Sequence, residues 1–262
     1  MTLILQRPTG SKLTLRQTWQ PMDPDAATYI TAVETADGQA LEEKVKIAID
    51  NFVLGCKTDG IWNAIKASCI LAGARTLAGA LVPLKGTAPT NFNFVSGDYD
   101  RETGLIGDGS TKYLDSNRNN NADGQDNQHF SWYSPDYNSS TPVVSSNDKP
   151  NANGMNLVSN GNAKSRTTVN TNFTATDPFV GMSRASAAAF NIRYNGSTVS
   201  SSVSSDPPTS SPILVYRFKN FVGINIYSAA RLSFYSIGES LDLAKLDARV
   251  TDLINAIGVV IP

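Results

Sequence analysis

The sequence predicts a mainly β protein with some α: an antiparallel β-sandwich preceded by a small helical region and closed by a C-terminal helix. Three observations carry this reading. After Pro89, β-branched and aromatic residues are broken by Gly, Asn, Ser and Pro at short intervals, which argues for many short strands. Between residues 25 and 60 the apolar residues instead recur three and four apart, and the stretch from Leu243 to Ile257 returns to that helical spacing.

The chain opens with two short apolar pieces, Leu3-Ile4-Leu5 and Leu13-Thr14-Leu15, with Arg7-Pro8-Thr9-Gly10-Ser11 as a turn between them. Pro21 and Pro24 cut this segment off from the rest of the chain. Leu3, Leu5, Leu13 and Leu15 are therefore expected either to dock as an arm on a neighbouring subunit or to form an edge strand of the chain's own fold. A short helix is expected over Ala26 to Thr35. A second puts Leu41, Val45, Ala48, Ile49 and Phe52 on one face and Glu42, Glu43, Lys44 and Lys46 largely on the other. Lys57-Thr58-Asp59-Gly60 ends it. Ile61, Trp62, Ile65, Cys69 and Ile70 then begin another apolar face, so a helical hairpin is expected, with Cys56 and Cys69 as buried thiols within it. Leu77 to Leu84 trails off at the following prolines.

Strands are expected near Phe92–Val95, Thr103–Ile106, Tyr113–Leu114, His129–Tyr133, Val143–Ser145, Met155–Val158, Ser165–Val169, Phe179–Arg184, Ala188–Tyr194, Ser197–Ser201, Leu214–Phe218 and Ile224–Phe234. Fourteen asparagines between Asn117 and Asn172 point to long exposed loops there, because Asn tolerates left-handed backbone and caps turns. Leu243, Leu246, Val250, Leu253, Ile254 and Ile257 form the apolar face of the closing helix, with Ser240 in the N-cap position and Gly258 at the stop. The resulting division is an arm over 1–24, a helical assembly region over 25–88 and a sandwich with its helix over 89–262. A helical region this small needs support from outside itself, so a homo-oligomer is expected.

Composition narrows the function. With 22 basic and 23 acidic residues the net charge is −1, so no charge surplus draws the chain to nucleic acid or an anionic membrane. No apolar stretch is long enough to span a bilayer. In MTLILQRPTG the apolar run precedes any positive charge, the reverse of a signal peptide, so synthesis in the cytoplasm is expected. Two cysteines thirteen residues apart offer neither a disulfide framework nor a zinc pattern, and no cofactor is expected.

The side chains favour binding over catalysis. His129, the single histidine, is expected as a polar rim residue beside Phe130 and Trp132. The paired-carboxylate pattern of glycosidases is missing: the sole glutamate between Phe92 and Tyr235 is Glu102, and Asp98 and Asp100 fit a surface turn. Asp115, Asn117 and Asp123 belong to an oxygen-rich run that could hold calcium, without the fixed spacing of an EF-hand; a solvated loop explains them as well. Tyr133, Asp136, Tyr137 and Asn138 supply aromatic faces and planar polar groups in one segment, the groups that glycan recognition uses.

Two resemblances add to this. Asp108-Gly109-Ser110-Thr111-Lys112-Tyr113-Leu114, then Phe130-Ser131-Trp132-Tyr133, then Ile192-Arg193-Tyr194-Asn195-Gly196-Ser197, and finally the strand Leu232 to Ile237 before a helix, resemble in order the concanavalin A-like (laminin-G-like) jelly roll, with Tyr194 where that pattern has Val. Gly55 to Trp62, Phe94 to Tyr99, Gly107 to Leu114 and Phe234 to Leu241 are similar to structural proteins of tailed, cyanophage-like phages. That likeness implies a virion component, a capsid decoration or a tail-fibre subunit, whose partners are other virion proteins. A carbohydrate-binding module for host-surface polysaccharide is the alternative it leaves open.

Overall fold

A computed structural model describes residues 22–136, 142–146, 156–159, 161–219 and 225–261. The fold is an antiparallel β-sandwich. One sheet has six strands in the order β1 (Ile65–Ile70), β18 (Phe234–Gly238), β6 (Gln128–Tyr133), β11 (Phe179–Arg184), β12 (Phe190–Tyr194) and β13 (Ser197–Ser201). The other has seven: β10 (Thr171–Asn172), β9 (Asn162–Ser165), β8 (Asn156–Ser159), β7 (Pro142–Ser146), β14 (Pro212–Val215), β5 (Tyr113–Asn119) and β2 (Thr90–Phe92). A three-stranded piece orders β17 (Arg231–Leu232), β4 (Gly104–Ile106) and β3 (Tyr99–Asp100), and β15 (Arg217–Lys219) pairs with β16 (Asn225–Tyr227). The expected arm, with Leu3, Leu5, Leu13 and Leu15, lies outside the described residues.

Among the described residues four α-helices join the sheets: α1 (Pro24–Asp37), α2 (Glu43–Thr58), the single turn α3 (Leu77–Ala80) and α4 (Leu243–Val260). The Asp23 carboxylate caps α1, and Gly38, at φ 68°, ends it in the left-handed conformation that glycine adopts without strain. At α4 the cap is Asp242, which accepts from the Ala244 and Lys245 amides, in place of the expected Ser240; the helix also runs past Gly258 to Val260.

The expected helical hairpin is corrected. Ile61 to Ile70 forms a 3-10 turn over Trp62–Ala64 and then strand β1, which pairs with β18. This strand is covered on both sides. Ala67 and Cys69 face the sandwich interior, while Ile65 and Ile70 join the core beneath the helices. Ile61, Trp62, Ile65, Cys69 and Ile70 also recur three and four apart, so helical spacing competes here with the strand alternation of Ile65, Ala67 and Cys69 against Lys66 and Ser68. Residues 25–88 thus contribute a sheet strand as well as three helices.

The molecule is therefore three layers deep. Phe130, Trp132, Val180, Met182, Ile192, Tyr235 and Ile237 of the six-stranded sheet meet Leu114, Val144, Val158 and Val215 of the seven-stranded sheet. The opposite face of the six-stranded sheet presents Tyr133, Phe179 and Phe234 to α2 and α4, with Phe52 and Phe234 edge to face at 5.7 Å. Small residues alternate with these rings. A Cβ at Gly181 would stand 2.8 Å from Leu243 Cδ2, so the helix approaches there only because the side chain is missing.

Two buried arginines hold the connecting loops. Arg184 donates to the carbonyls of Ser165, Ser186, Ala187, Ala189 and Val203, and Arg166 to those of Asn120, Asp123 and Gly124. Buried loop carbonyls must find donors, and one guanidinium serves several at once. Arg184→Met keeps most of the volume but orphans those carbonyls. It is expected to lower stability by about 3 kcal/mol or more, read from urea unfolding of the full chain, with Arg184→Lys recovering only part of the loss.

Candidate functional site

On the outer surface of the seven-stranded sheet, aromatic rings and one arginine form a stack. Phe92 on β2 and Tyr113 on β5 are cross-strand partners, and their rings lie 4.3 Å apart at 4°. The Arg217 guanidinium carbon lies 4.5 Å from the Tyr113 ring centre and 5.6 Å from that of Tyr227, its partner across the β15–β16 ladder. Tyr113 and Tyr227 are themselves 6.2 Å apart. In the sheet order β14, β5, β2, Phe92 and Arg217 stand on opposite sides of the Tyr113 strand, so Tyr113 is enclosed and Phe92 ends the row. Phe92 is 36% exposed, unusual for so large an apolar ring.

Local chemistry fixes each member. The Asp108 carboxylate accepts from the Ser110, Thr111 and Lys112 amides and the Thr111 hydroxyl, setting the turn that launches β5. Partial burial opposes ionisation, but these hydrogen bonds outweigh it and hold the carboxyl well below the usual range. Asn93, at φ 68°, turns the chain out of β2 and donates to the Thr111 carbonyl. Tyr216, at φ 70°, breaks the alternation between β14 and β15. Val215 and Tyr216 both point into the core, and Arg217 consequently points out. Left-handed backbone at a tyrosine costs about 1–2 kcal/mol; the Tyr216 hydroxyl bonded to the Leu105 carbonyl at 2.6 Å and the Phe94 ring 5.0 Å away hold it there.

The sequence-predicted candidates fall elsewhere. Tyr133 is buried in the helix-side core, so its ring is closed to a ligand, and burial raises its pKa. Asp136 is exposed, 3.8 Å from Arg231. Tyr137 and Asn138 lie outside the described residues. Asp123 is taken by Arg118, Asp115 accepts the Asn117 amide, and the Asn117 amide group donates to Ala88 and Thr90, so these three do not converge on a cation. Among the described residues no three His, Cys, Asp or Glu side chains gather as a metal site. The carboxylate Asp98 pairs with Lys112, and Asp100 accepts within its own turn. A cavity of about 390 Å³ between Asp25, Lys57, Trp62 and Lys85 is lined by side chains that engage one another: Lys85 lies 4.4 Å over the Trp62 ring and Lys57 pairs with Asp23 and Asp25.

His129 is corrected from rim to interior. Fully buried, it donates from Nδ1 to the Glu239 carbonyl at 2.6 Å, since a carbonyl can only accept, and its Nε2 accepts from the buried Ser236 hydroxyl at 2.7 Å. This pair joins β6 to the β18–α4 connection and is sealed from substrate.

No family model and no curated protein matches the sequence. Among solved structures, domain 4 of AbnA, a GH43 extracellular arabinanase from Geobacillus stearothermophilus in complex with arabinotriose, is similar over 65% of this chain and 82% of that one, at 13% identity and a TM-score of 0.42. A mutant of HCR/D is similar over 76% of this chain and 52% of that one, at 12% identity and a TM-score of 0.40.

Burial pushes the His129 imidazole down to about 4, against the pull of its bond to Glu239. In the unfolded chain it titrates near 6.5. Between those values the unfolded chain holds a proton that the folded one does not, so stability falls as pH drops from about 6.5 to about 4, by about 3 kcal/mol. Urea unfolding across this window is expected to show that slope in the wild type and a flatter one in His129→Gln.

Proposed function

We propose that this chain is a non-catalytic β-sandwich binding module that engages carbohydrate through the Phe92, Tyr113, Arg217 and Tyr227 stack. The single observation behind the reading is that stack: an aromatic row on a sheet surface, ended by an exposed ring and flanked by hydrogen-bonding groups. Sugar rings pair their axial C–H faces with aromatic planes and their hydroxyls with amides and guanidinium groups. Asn225 and Arg217, joined by a 2.6 Å hydrogen bond, place both kinds of polar group beside the rings. Immobilised plant, algal and bacterial polysaccharides are expected to retain the full chain. Phe92→Ala and Tyr113→Ala are each expected to weaken retention by about tenfold or more while leaving the far-UV spectrum unchanged; retention equal to wild type in both variants defeats the assignment.

The setting we propose is a phage particle, as a capsid decoration or tail appendage, on the strength of the sequence resemblance. One surface feature favours assembly. Ile47 and Leu54, seven residues apart on α2, are 46% and 42% exposed on the side of the helix away from the core. Antibody raised against the chain is expected to label intact purified particles in electron microscopy. Label found solely in the soluble fraction of lysed host cells counts against this setting.

A further inference from the structure

Arg217 differs from the other arginines of the described structure. Arg75, Arg101, Arg118, Arg193, Arg231 and Arg249 each pair with a carboxylate. Arg166 and Arg184 donate instead to several backbone carbonyls. Arg217 has neither kind of partner among the described residues: its Nη2 donates to the neutral amide oxygen of Asn225, and its Nε is buried without a hydrogen bond. A guanidinium packed beside two tyrosine rings, with its Nε buried, has given up part of its water and gained ring quadrupoles and one amide in return. Lys112, the nearest cation along β5, is neutralised by Asp98. Among the described residues the stack therefore carries one positive charge without an anionic partner, on a planar group that matches a carboxylate in shape.

We infer that the stack selects an acidic sugar, a carboxylate-bearing residue such as a uronate, with Arg217 receiving the carboxylate and the exposed ring of Phe92 receiving a neighbouring sugar face. The inference rests on the carbohydrate reading and deepens it. A full charge on a planar fork gains most from a planar partner of opposite charge, and the fold leaves this one beside the rings with no carboxylate partner among the described residues.

The test uses the full chain with polygalacturonate oligosaccharides and the same oligosaccharides after carboxyl reduction, measured by calorimetry at low and high salt. The acidic form is expected to bind about tenfold tighter or more, with the difference shrinking as salt rises. Arg217→Gln is expected to weaken the acidic form about tenfold or more beyond its effect on the reduced form, so that the difference between the two disappears, and Phe92→Ala to weaken both forms by similar factors. Equal binding of the two forms, or a preference that survives Arg217→Gln, overturns the acidic-sugar inference and leaves the carbohydrate reading standing. No binding to either form, or to any neutral or acidic member of a glycan array, removes both and leaves the stack as packing at the sheet edge.

Discussion

The six-stranded sheet has to be dry on both faces, and most of the molecule depends on that. Its inner face carries Phe130, Trp132, Val180, Met182, Tyr235 and Ile237, large groups that fill the space against the second sheet. Its outer face cannot carry the same set, because α2 and α4 lie close upon it. It therefore alternates rings with Gly181, Ser131, Ser183 and Ser236. Those serines bring polar atoms into a dry layer, and polar atoms there need partners. Ser183 finds the Leu241 carbonyl, and Ser236 finds His129. The imidazole, accepting from Ser236 at Nε2, then needs an acceptor for its Nδ1–H and finds it at the Glu239 carbonyl, at the corner where β18 turns toward α4. A histidine that looks like a catalytic candidate is thus a consequence of packing a helix on a sheet.

This arrangement explains which parts of the fold the sequence disclosed. Strands with one wet face or a clear turn were readable: Phe179–Arg184 and Ser197–Ser201 have their expected bounds, and Asn195-Gly196 makes the tight turn with φ 50° and 64° that such a pair favours. Helices α1, α2 and α4 were readable because each has one polar side. Strand β1 was not: Ile61, Trp62, Ile65, Cys69 and Ile70 recur at helical spacing, and this masked the alternation of Ile65, Ala67 and Cys69 with Lys66 and Ser68. Tyr133 closes the expected strand His129–Tyr133, but the packing of α2 and α4 on its face of β6, which buries it, could not be read from the strand pattern.

The stack was legible only in pieces. Phe92, Tyr113, Arg217 and Tyr227 all fall in or beside expected strands, so their secondary structure was accessible. Their proximity was not, because it depends on two ladders in register and on a left-handed Tyr216. No propensity predicts tyrosine in that conformation. Without it, strict alternation would carry Arg217 into the core and Tyr216 outward. The strain at one residue thus decides which side chain faces solvent, and it is held by contacts to Leu105 and Phe94 on the far side of the sheet from the rings.

The position of Phe92 at a sheet edge sharpens this. Sheet edges invite pairing with other chains, and folds blunt them with short strands, charges, proline or a covering segment. Three edges here obey that rule. The Leu84 and Lys85 segment bonds along β1, β13 presents Ser197, Thr198 and Ser200 to solvent, and β10 is two residues long. The fourth, β2, is three residues long, preceded by Pro89 and ended by the left-handed Asn93, so it too is protected against strand addition. A charged residue at its end would protect it further and cost nothing in the core. A partly exposed phenylalanine stands there instead, stacked on Tyr113. Edge protection does not call for that ring, while recognition of a ligand presented to the outer face of the sheet does.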